Sequence, residues 1–273
     1  MTTYTAKASD GSAWVTGASS GIGRSLALKL ADEGYTVYVT ARSEDDLEAL
    51  ANESEACTGT IIAAPGDVTD SEAMAQLVSR IDSEGGGLAL AVFNAGVYLP
   101  VHGETLDVSD FDKSFAVNLS GVVNGLVPAI EHMKARGRGQ LAIVSSVTGY
   151  GGLPTSAAYG ATKAALINMA ESLKFDLDKL GLHIQVINPG FVDTPATADN
   201  AFTMPALMQP EDAAVRIAEG LKSRSFEITF PRRFTFVLKL LQLLPYGVYF
   251  AAINAATNWK KRPLEKRDGE NRG

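Results

Sequence analysis

The sequence contains little of what disulfide-bonded, metal-binding and nucleic-acid-binding proteins require. Its 273 residues include one cysteine, Cys57, which cannot form an internal disulfide, so nothing implies an oxidising compartment. Three histidines, His102, His132 and His183, lie apart without metal-ligand spacing. Acidic side chains outnumber basic ones, 31 to 24, which argues against a nucleic-acid-binding face. We therefore expect neither a metal site nor a nucleic-acid partner.

The chain also lacks an apolar leader and a repeat. Residues 1–12, MTTYTAKASDGS, are polar, so we expect an intracellular, cytoplasmic protein. No repeat of 20–50 residues is present. The composition of the charged tail, residues 260–273, predicts fraying. With 46% hydrophobic residues, the chain is long enough for one large domain with a buried core.

Short β-branched runs alternate with helical patterns along most of the chain. The runs predict buried strands at 12–16, 36–40, 60–64, 88–93, 140–145, 182–188 and 226–230. Apolar spacing of three to four residues predicts helices at 23–34, 43–55, 70–84, 107–136 and 156–181. This alternation predicts an α/β fold: one doubly wound parallel sheet of about seven strands with helices on both faces. We assign this domain to residues 1–230.

A glycine-rich turn, TGASSGIG, follows the first predicted strand. Gly17, Gly21 and Gly23 allow a tight turn, the close approach of a pyrophosphate and the start of a helix whose amides face that anion. The spacing differs from G-x-G-x-x-G, but the turn lies between the first strand and the first helix, where dinucleotides bind in α/β sheets. We therefore predict a dinucleotide site here.

The charge after the second predicted strand bears on the choice of dinucleotide. An acid at this point accepts the ribose 2′-OH of NAD, whereas an arginine suits the 2′-phosphate of NADP. The chain reads YVTARSEDD, with Ala41 and Arg42 where that acid would stand. We therefore expect NADP(H). The alternative is that Arg42 only caps a helical turn at the surface.

Tyr159 and Lys163 are four residues apart in YGATK. On a helix both side chains project from the same face. A neighbouring ammonium favours a phenolate and would lower the phenol pKa from its usual value of about 10. Reduction of a carbonyl needs a proton donor close to the oxygen that becomes negative. The pair is therefore interpreted as an acid and the cation that tunes it.

Four stretches in order resemble the short-chain dehydrogenase/reductase family: TGASSGIG, NAG at 94–96, Ser146 followed by YGATK, and NPG at 188–190. The family usually has NNAG where this chain has FNAG, with Phe93, and commonly has serine at the position of Thr162. The resemblance covers residues 12 to about 230. It implies a Rossmann-type fold, a homodimer or homotetramer, and hydride transfer between a nicotinamide cofactor and a ketone, aldehyde or alcohol.

The resemblance also implies roles for individual residues. Tyr159 would be the acid and base, Lys163 its tuner and a ribose ligand, Ser146 the group that orients the carbonyl, and Asn118 a relay member that distorts a long helix. Ser145 would be structural. Together with Arg42, the implied cofactor contacts are Gly17, Ser19, Ser20, Gly21, Ile22, Gly23, Asp67, Val68, Asn94, Ala95, Gly96, Tyr159, Lys163, Pro189, Gly190, Val192 and Thr194. The competing interpretation is a non-catalytic dinucleotide-binding regulatory or scaffold protein.

Residues 191–210 resemble the variable substrate lid of the family by position. Four apolar side chains there favour a small apolar carbonyl or alcohol: Phe202, Met204, Leu207 and Met208. We expect residues 151–153 to form another wall of the pocket. His102 is a weaker candidate for a substrate contact.

Residues 231–273 form a hydrophobic and basic extension. Six basic and no acidic side chains lie between 228 and 264, whereas residues 1–227 contain 15 basic and 28 acidic ones. An almost entirely apolar helix is predicted over 234–244, ended by Pro245. It has a narrow polar stripe of Thr235, Lys239 and Gln242.

Three interpretations of the extension stay open. The helix can cover the substrate pocket or pack in a dimer interface. It can lie on a membrane surface, where its basic residues would meet anionic lipid. It can belong to a membrane span over 240–257, which its polar residues and proline weaken.

Overall fold

The seven predicted strands form one parallel sheet in the computed structural model, which describes residues 3–197 and 204–264. The strands are β1 Ser12–Thr16, β2 Thr36–Thr40, β3 Thr60–Ala63, β4 Leu88–Phe93, β5 Gly139–Val144, β6 Leu182–Pro189 and β7 Glu227–Phe230. Their order across the sheet is β3-β2-β1-β4-β5-β6-β7, and all neighbours are parallel. The predicted doubly wound α/β fold is confirmed. The order reverses between β1 and β4, where the strand ends leave a crevice for a ligand.

Helices connect the strands on both faces of the sheet. In the described residues they are α1 Gly21–Asp32, α2 Glu44–Glu53, α3 Ser71–Glu84, α4 Val108–Phe115, α5 Gly121–Arg136, α6 Ala157–Leu177, α7 Pro210–Leu221, α8 Arg232–Leu241 and α9 Tyr246–Thr257. The single helix predicted over 107–136 is divided by a π-helical turn at Ala116–Ser120. Helix α7 was not among the predicted helices, although Pro210 at its first turn is a common start signal.

The core lies on both faces of the sheet because successive strand residues point in opposite directions. From β1, Ala13 and Val15 enter one apolar cluster, while Trp14 enters the other. Trp14 is fully buried, packs edge-on against Phe93 at 5.6 Å between ring centroids, and donates its indole N–H to Thr40 Oγ1 at 2.9 Å. Burial on both faces explains why the strands read as continuous apolar runs.

The extension folds into α8 and α9, which begin directly after β7. Helix α8 begins two residues before the predicted helix and ends three residues before its predicted end. Pro245 precedes α9 instead of ending one continuous helix. Among the described residues, no helix is long and apolar enough to cross a membrane. The predicted frayed tail lies mostly outside the described residues, from 265 onward. The division at residue 230 stays a prediction.

Candidate active site

A pocket of about 1450 Å³ at the carboxyl ends of the strands brings together most of the predicted site residues. Those that line it are Gly17, Ser19, Ser20, Gly21, Ile22, Arg42, Asp67, Val68, Asn94, Ala95, Gly96, Ser146, Tyr159, Lys163, Pro189, Gly190, Val192 and Thr194. Gly23 and Asn118 do not line it. Gly23 is instead a packing position, since a Cβ there would lie 2.3 Å from Gly17 O. Its assignment as a cofactor contact stays a prediction.

The glycine-rich turn forms a cradle that only a residue without a side chain permits. Gly17 has φ +68°, and a Cβ there would lie 2.6 Å from Ala95 Cα. Gly21 has φ +54° at the first position of α1, and the Ser20 side chain does not cap that helix. The first-turn amides therefore have no side-chain acceptor and face a pocket lined by this turn. This donor set fits a pyrophosphate.

Asn94 connects the ends of β1 and β4 beside this cradle. Its Nδ2 donates to Thr16 O at 3.1 Å and to Gly17 O at 3.0 Å, while its backbone N–H donates to Thr16 Oγ1 at 3.0 Å. The side chain thus holds the glycine turn against the sheet. Phe93, which precedes it where the family has asparagine, is buried in the core. The departure from NNAG therefore leaves the cradle intact.

Charges of both signs line the far end of the pocket. Arg42 is exposed there, together with Asp46 and Asp67. Asp67 accepts from Thr69 N at 2.9 Å and Thr69 Oγ1 at 2.8 Å. The backbone hydrogen bond from Thr69 and the nearby Arg42 guanidinium help lower the pKa of Asp67, against the opposing effect of burial. The carboxylate is therefore ionised at neutral pH, and Arg42 is the cation beside it.

Tyr159 and Ser146 line the pocket together, and the Ser146 hydroxyl is near enough to act on the pKa of the Tyr159 phenol. The ring of Tyr98 packs edge-on against Tyr159 at 5.2 Å between centroids. Burial raises the pKa of Tyr159 to about 12, although the nearby Ser146 hydroxyl acts to lower this pKa. Tyr159 is therefore a neutral phenol at neutral pH.

Lys163 lies one helical turn after Tyr159 and is almost fully buried. Its Nζ donates to Val144 O at 2.8 Å and lies 5.4 Å from the centre of the Tyr159 ring. Burial lowers the pKa of Lys163 to about 8. The expectation that this ammonium lowers the pKa of Tyr159 is wrong. Burial disfavours the charged forms of both groups, so it raises the pKa of Tyr159 and lowers that of Lys163.

Asn118 sits behind Lys163 in the π-helical turn and is fully buried. It accepts from Val97 N through Oδ1 at 2.7 Å and donates through Nδ2 to Val97 O at 2.9 Å. A Cβ on Gly96 would lie 3.3 Å from Asn118 Oδ1 and 3.6 Å from Lys163 Nζ. The amide and the ammonium therefore flank the same glycine, which places Asn118 in a supporting position next to the pocket.

Ser145 and Thr162 have structural hydrogen bonds. Ser145 Oγ donates to Lys163 O at 2.8 Å, which ties the end of β5 to α6. Thr162 Oγ1 donates to Tyr159 O at 2.7 Å and accepts from Asn118 Nδ2 at 3.3 Å. The threonine hydroxyl thus connects the two segments that position the candidate catalytic groups.

The predicted lid lines the pocket in part, through described residues that include Phe191, Val192, Pro195, Ala196 and Pro205. Phe202 lies outside the described residues, and Met208 packs against the core instead of lining the pocket. Leu207 and Met204 do not line it either. The apolar walls come largely from the extension, through Phe234, Val237, Leu238, Leu241, Ile253 and Trp259.

The other predicted substrate contacts were residues 151–153 and His102, and of these Leu153 lines the pocket. The backbone of Gly152 accepts from Tyr249 Oη at 2.8 Å and so holds α9 in place. His102 stacks on Trp259 at 6.3 Å between centroids and supports that wall from behind.

Sequence reasoning missed Tyr98 and Trp259 as pocket residues. Tyr98 follows the NAG stretch within two residues, which was a usable signal. Trp259 gave none, because its place beside the pocket depends on how the extension folds back.

The family model for short chain dehydrogenase matches residues 12–204. The chain belongs to the short-chain dehydrogenase/reductase family. The protein is therefore an oxidoreductase. Members of this family act on CH–OH and C=O groups with a nicotinamide dinucleotide. The extension lies beyond the matched residues.

Relatives and solved structures agree with that assignment. The chain is 38% identical over 240 residues to an uncharacterized oxidoreductase of Myxococcus xanthus, covering 88% of this chain and 95% of that protein. It is similar to a short chain dehydrogenase from Burkholderia cenocepacia in complex with NADP, with a TM-score of 0.72, 28% identity, and coverage of 80% and 94%. A short-chain type dehydrogenase/reductase from Mycobacterium marinum, at 24% identity with coverage of 82% and 94%, has a TM-score of 0.75 and shares the fold.

Proposed function

We propose that this protein is an NADP(H)-dependent oxidoreductase that interconverts an apolar ketone or aldehyde and the corresponding alcohol. The placement of Ser146 and Tyr159 in one pocket, beside Lys163 and the glycine cradle, carries this proposal. A non-catalytic dinucleotide-binding protein has no need of this arrangement. The apolar wall supplied by α8 and α9 favours a substrate without charge near its reacting group.

The side chains divide the reaction between orientation and proton transfer. The bound dinucleotide would supply or accept the hydride. Ser146 orients the carbonyl oxygen by hydrogen bonding and stabilises its developing negative charge. Tyr159 donates the proton to that oxygen in reduction, and its phenolate takes the proton from the alcohol in oxidation. Lys163 and Tyr159 would hold the ribose, and the first-turn amides of α1 would hold the pyrophosphate.

Preference for NADP(H) is supported by the far end of the pocket. Thr40 ends β2, and the next two residues, Ala41 and Arg42, supply no acid to accept a ribose 2′-OH. Arg42 lines the pocket and forms no salt bridge to a described residue. The guanidinium is therefore available to bind a phosphate, whereas the carboxylates of Asp46 and Asp67 in the same lining oppose this choice.

A homodimer or homotetramer completes the proposal, as the family implies. Exposed apolar side chains on α4, α5 and α6, among them Phe115, Val127 and Phe175, support assembly. The expectation of an intracellular protein stays a prediction.

The test of the proposed function is the change Tyr159→Phe, assayed by NADPH consumption with a panel of apolar ketones. Loss of the proton donor should reduce kcat by about a hundredfold to ten-thousandfold, while the Kd of NADPH stays within a few-fold. Tyr98→Phe is the matched control, since that hydroxyl is already bonded to Thr155 Oγ1 at 2.8 Å and turnover should largely persist. Unchanged turnover in Tyr159→Phe would refute the assigned acid.

A further inference from the structure

Helix α8 exposes an apolar stripe to solvent. On α8 the stripe consists of Phe236, Val237 and Leu240, at the i, i+1 and i+4 spacing of one helical face, and Leu243 and Leu244 continue it in the turn after the helix. On α9, Tyr246 and Phe250 continue it as a stacked pair with ring centroids 6.0 Å apart. Leu243 and Tyr246 are each 80% exposed. We call these seven residues the outer face. More than half of the exposed large apolar side chains in the described part of the chain lie in the extension.

Two polar residues of α8, Thr235 and Lys239, point toward the sheet. Thr235 is buried, and Lys239 forms a salt bridge with Glu227 of β7. Glu227 also accepts from Tyr150 Oη and from Asn188 Nδ2, the latter at 2.8 Å. Because these contacts hold the helix, it cannot rotate to bury its outer face without breaking them. The orientation is the reverse of that expected for an amphipathic helix at an aqueous surface.

Four basic side chains flank the outer face along the chain, and we call these four residues its border. Arg232 and Arg233 precede Phe236 and Val237 by one helical turn on the same side of α8, and Lys260 and Lys261 follow α9. All four are exposed. None forms a salt bridge with another residue in the described ranges. No acidic residue lies between 228 and 264, so the border is cationic on an otherwise acidic protein.

This charge pattern selects the occupant. A second copy seated on the outer face across a two-fold axis would place the same cations against each other. An anionic lipid surface complements them, and the aromatic and leucine side chains suit the boundary between headgroups and acyl chains. The apolar face and its basic border therefore fit one partner, an anionic bilayer.

The pocket opens beside the same face. Phe234, Leu238 and Leu241 line the pocket from the inner side of α8. Val237 both lines the pocket and is 55% exposed, so it joins the pocket wall to the outer face. One helix thus separates the reacting groups from whatever covers that face. A molecule leaving the lipid beside α8 would enter the pocket without crossing water.

We propose that the outer face docks on an anionic lipid bilayer and that the pocket takes its substrate, a lipid-dissolved apolar ketone or alcohol, from that bilayer. The docking stands on the extension alone. The choice of substrate rests on the proposed oxidoreductase function.

Vesicle flotation with the full-length protein tests the docking. The protein should float with vesicles of phosphatidylcholine and phosphatidylglycerol and much less with phosphatidylcholine alone. Leu240→Ser combined with Leu243→Ser and Phe250→Ser should reduce partitioning at least about tenfold. Neutralising the four border cations should reduce it by about fivefold per charge near the surface. The matched control is Leu180→Ser with Val215→Ser, which removes exposed apolar side chains from the turn after α6 and from α7. Circular dichroism checks that each variant folds.

Activity separates the two parts of the proposal. With a water-soluble ketone, the outer-face variant should turn over like the wild type, because none of its changed residues lines the pocket. With a long-chain ketone dissolved in the anionic vesicles, it should lose most of its activity.

Several outcomes would overturn the docking proposal. One is failure of the wild type to float with anionic vesicles, and another is flotation that the outer-face changes do not alter. A third is an outer-face variant that forms a smaller assembly in solution than the wild type, together with a wild type that does not bind vesicles. A second copy of the chain would then cover the outer face. Flotation without turnover of any carbonyl would leave the docking standing and refute the proposed oxidoreductase function.

Discussion

The ionisation of Tyr159 and Lys163 is set by burial more than by their mutual contact. Burial raises the pKa of Tyr159 to about 12 and lowers that of Lys163 to about 8. The phenol is thus protonated, as a donor for reduction must be, over the whole range in which Lys163 loses its charge. Lys163 is charged below its pKa and neutral above it, so the cation next to the reacting oxygen disappears first as pH rises.

A pH profile follows from this order of ionisation. We expect kcat/KM for ketone reduction to fall as pH rises through about 8. Lys163→Arg should lack that fall even if its overall rate is lower, because a guanidinium stays protonated. The control is Lys179→Arg, a surface ion-pair residue, which should keep the wild-type profile. A fall near the same pH in Lys163→Arg would mean that another group titrates.

The proposed preference for NADP(H) rests on a single side chain, that of Arg42. Arg42→Ala should weaken NADPH binding by about ten- to a hundredfold, the loss of a charge-assisted hydrogen bond, and leave NADH binding nearly unchanged. Fluorescence titration of both cofactors measures this. Arg24→Ala is a suitable control, because Arg24 pairs with Glu53 and does not line the pocket. Equal losses for the two cofactors, or tighter NADH binding in the wild type, would contradict the assignment.

At the scale of the elements, Glu227 fixes α8 over the pocket. Burial alone would raise its pKa, but bonds from Lys239, Tyr150 and Asn188 outweigh burial and lower it. Glu227 is thus a carboxylate surrounded by donors from α8, β6 and the loop after β5. The helix that forms the apolar wall is therefore attached to the sheet by polar contacts as well as by packing.

Lys239→Met should loosen this attachment. Since Lys239 is partly exposed, we expect a loss of about 1 kcal/mol in the free energy of unfolding, measured with urea. The KM for an apolar ketone should rise several-fold while the Kd of NADPH stays the same, because α8 lines the substrate end only. Lys179→Met breaks a fully surface pair and should change neither quantity. A shift in cofactor affinity would show that α8 has a wider role.

Prediction from sequence succeeded where local pattern decides structure. The bounds of β1, β2 and β4 match the predicted runs because both faces of each strand are buried. The π-helical turn at Ala116–Ser120 was hidden, since its cause is the tertiary pairing of Asn118 with Val97. Residue spacing predicted the polar stripe of Thr235, Lys239 and Gln242. It did not predict that Lys239 turns toward the sheet, because its partner, Glu227, lies on another element. The raised pKa of Tyr159 likewise could not be predicted, because it depends on how deeply the side chain is buried, and residue spacing does not give burial.

At the scale of the whole molecule, most of the exposed large apolar side chains in the described residues fall into two groups. One is the extension. The other lies on the helices after β4 and β5 and includes Val108, Phe115, Val127 and Phe175. The second region has no cationic border comparable to that of the extension, so repulsion does not oppose contact with another copy. We therefore assign self-association to α4, α5 and α6 and leave the extension free.

Analytical ultracentrifugation checks this assignment. The wild type should sediment as a dimer or tetramer. Val127→Asp combined with Phe175→Asp should shift it toward monomer, because charges buried without partners at an interface are costly. Val215→Asp on α7, another exposed apolar position, is the control and should leave the assembly unchanged. Leu243→Asp, on the extension, should also leave it unchanged. If Leu243→Asp dissociates the assembly and the helix variants do not, the subunits meet through α8 and α9, and the division of the two apolar regions is wrong.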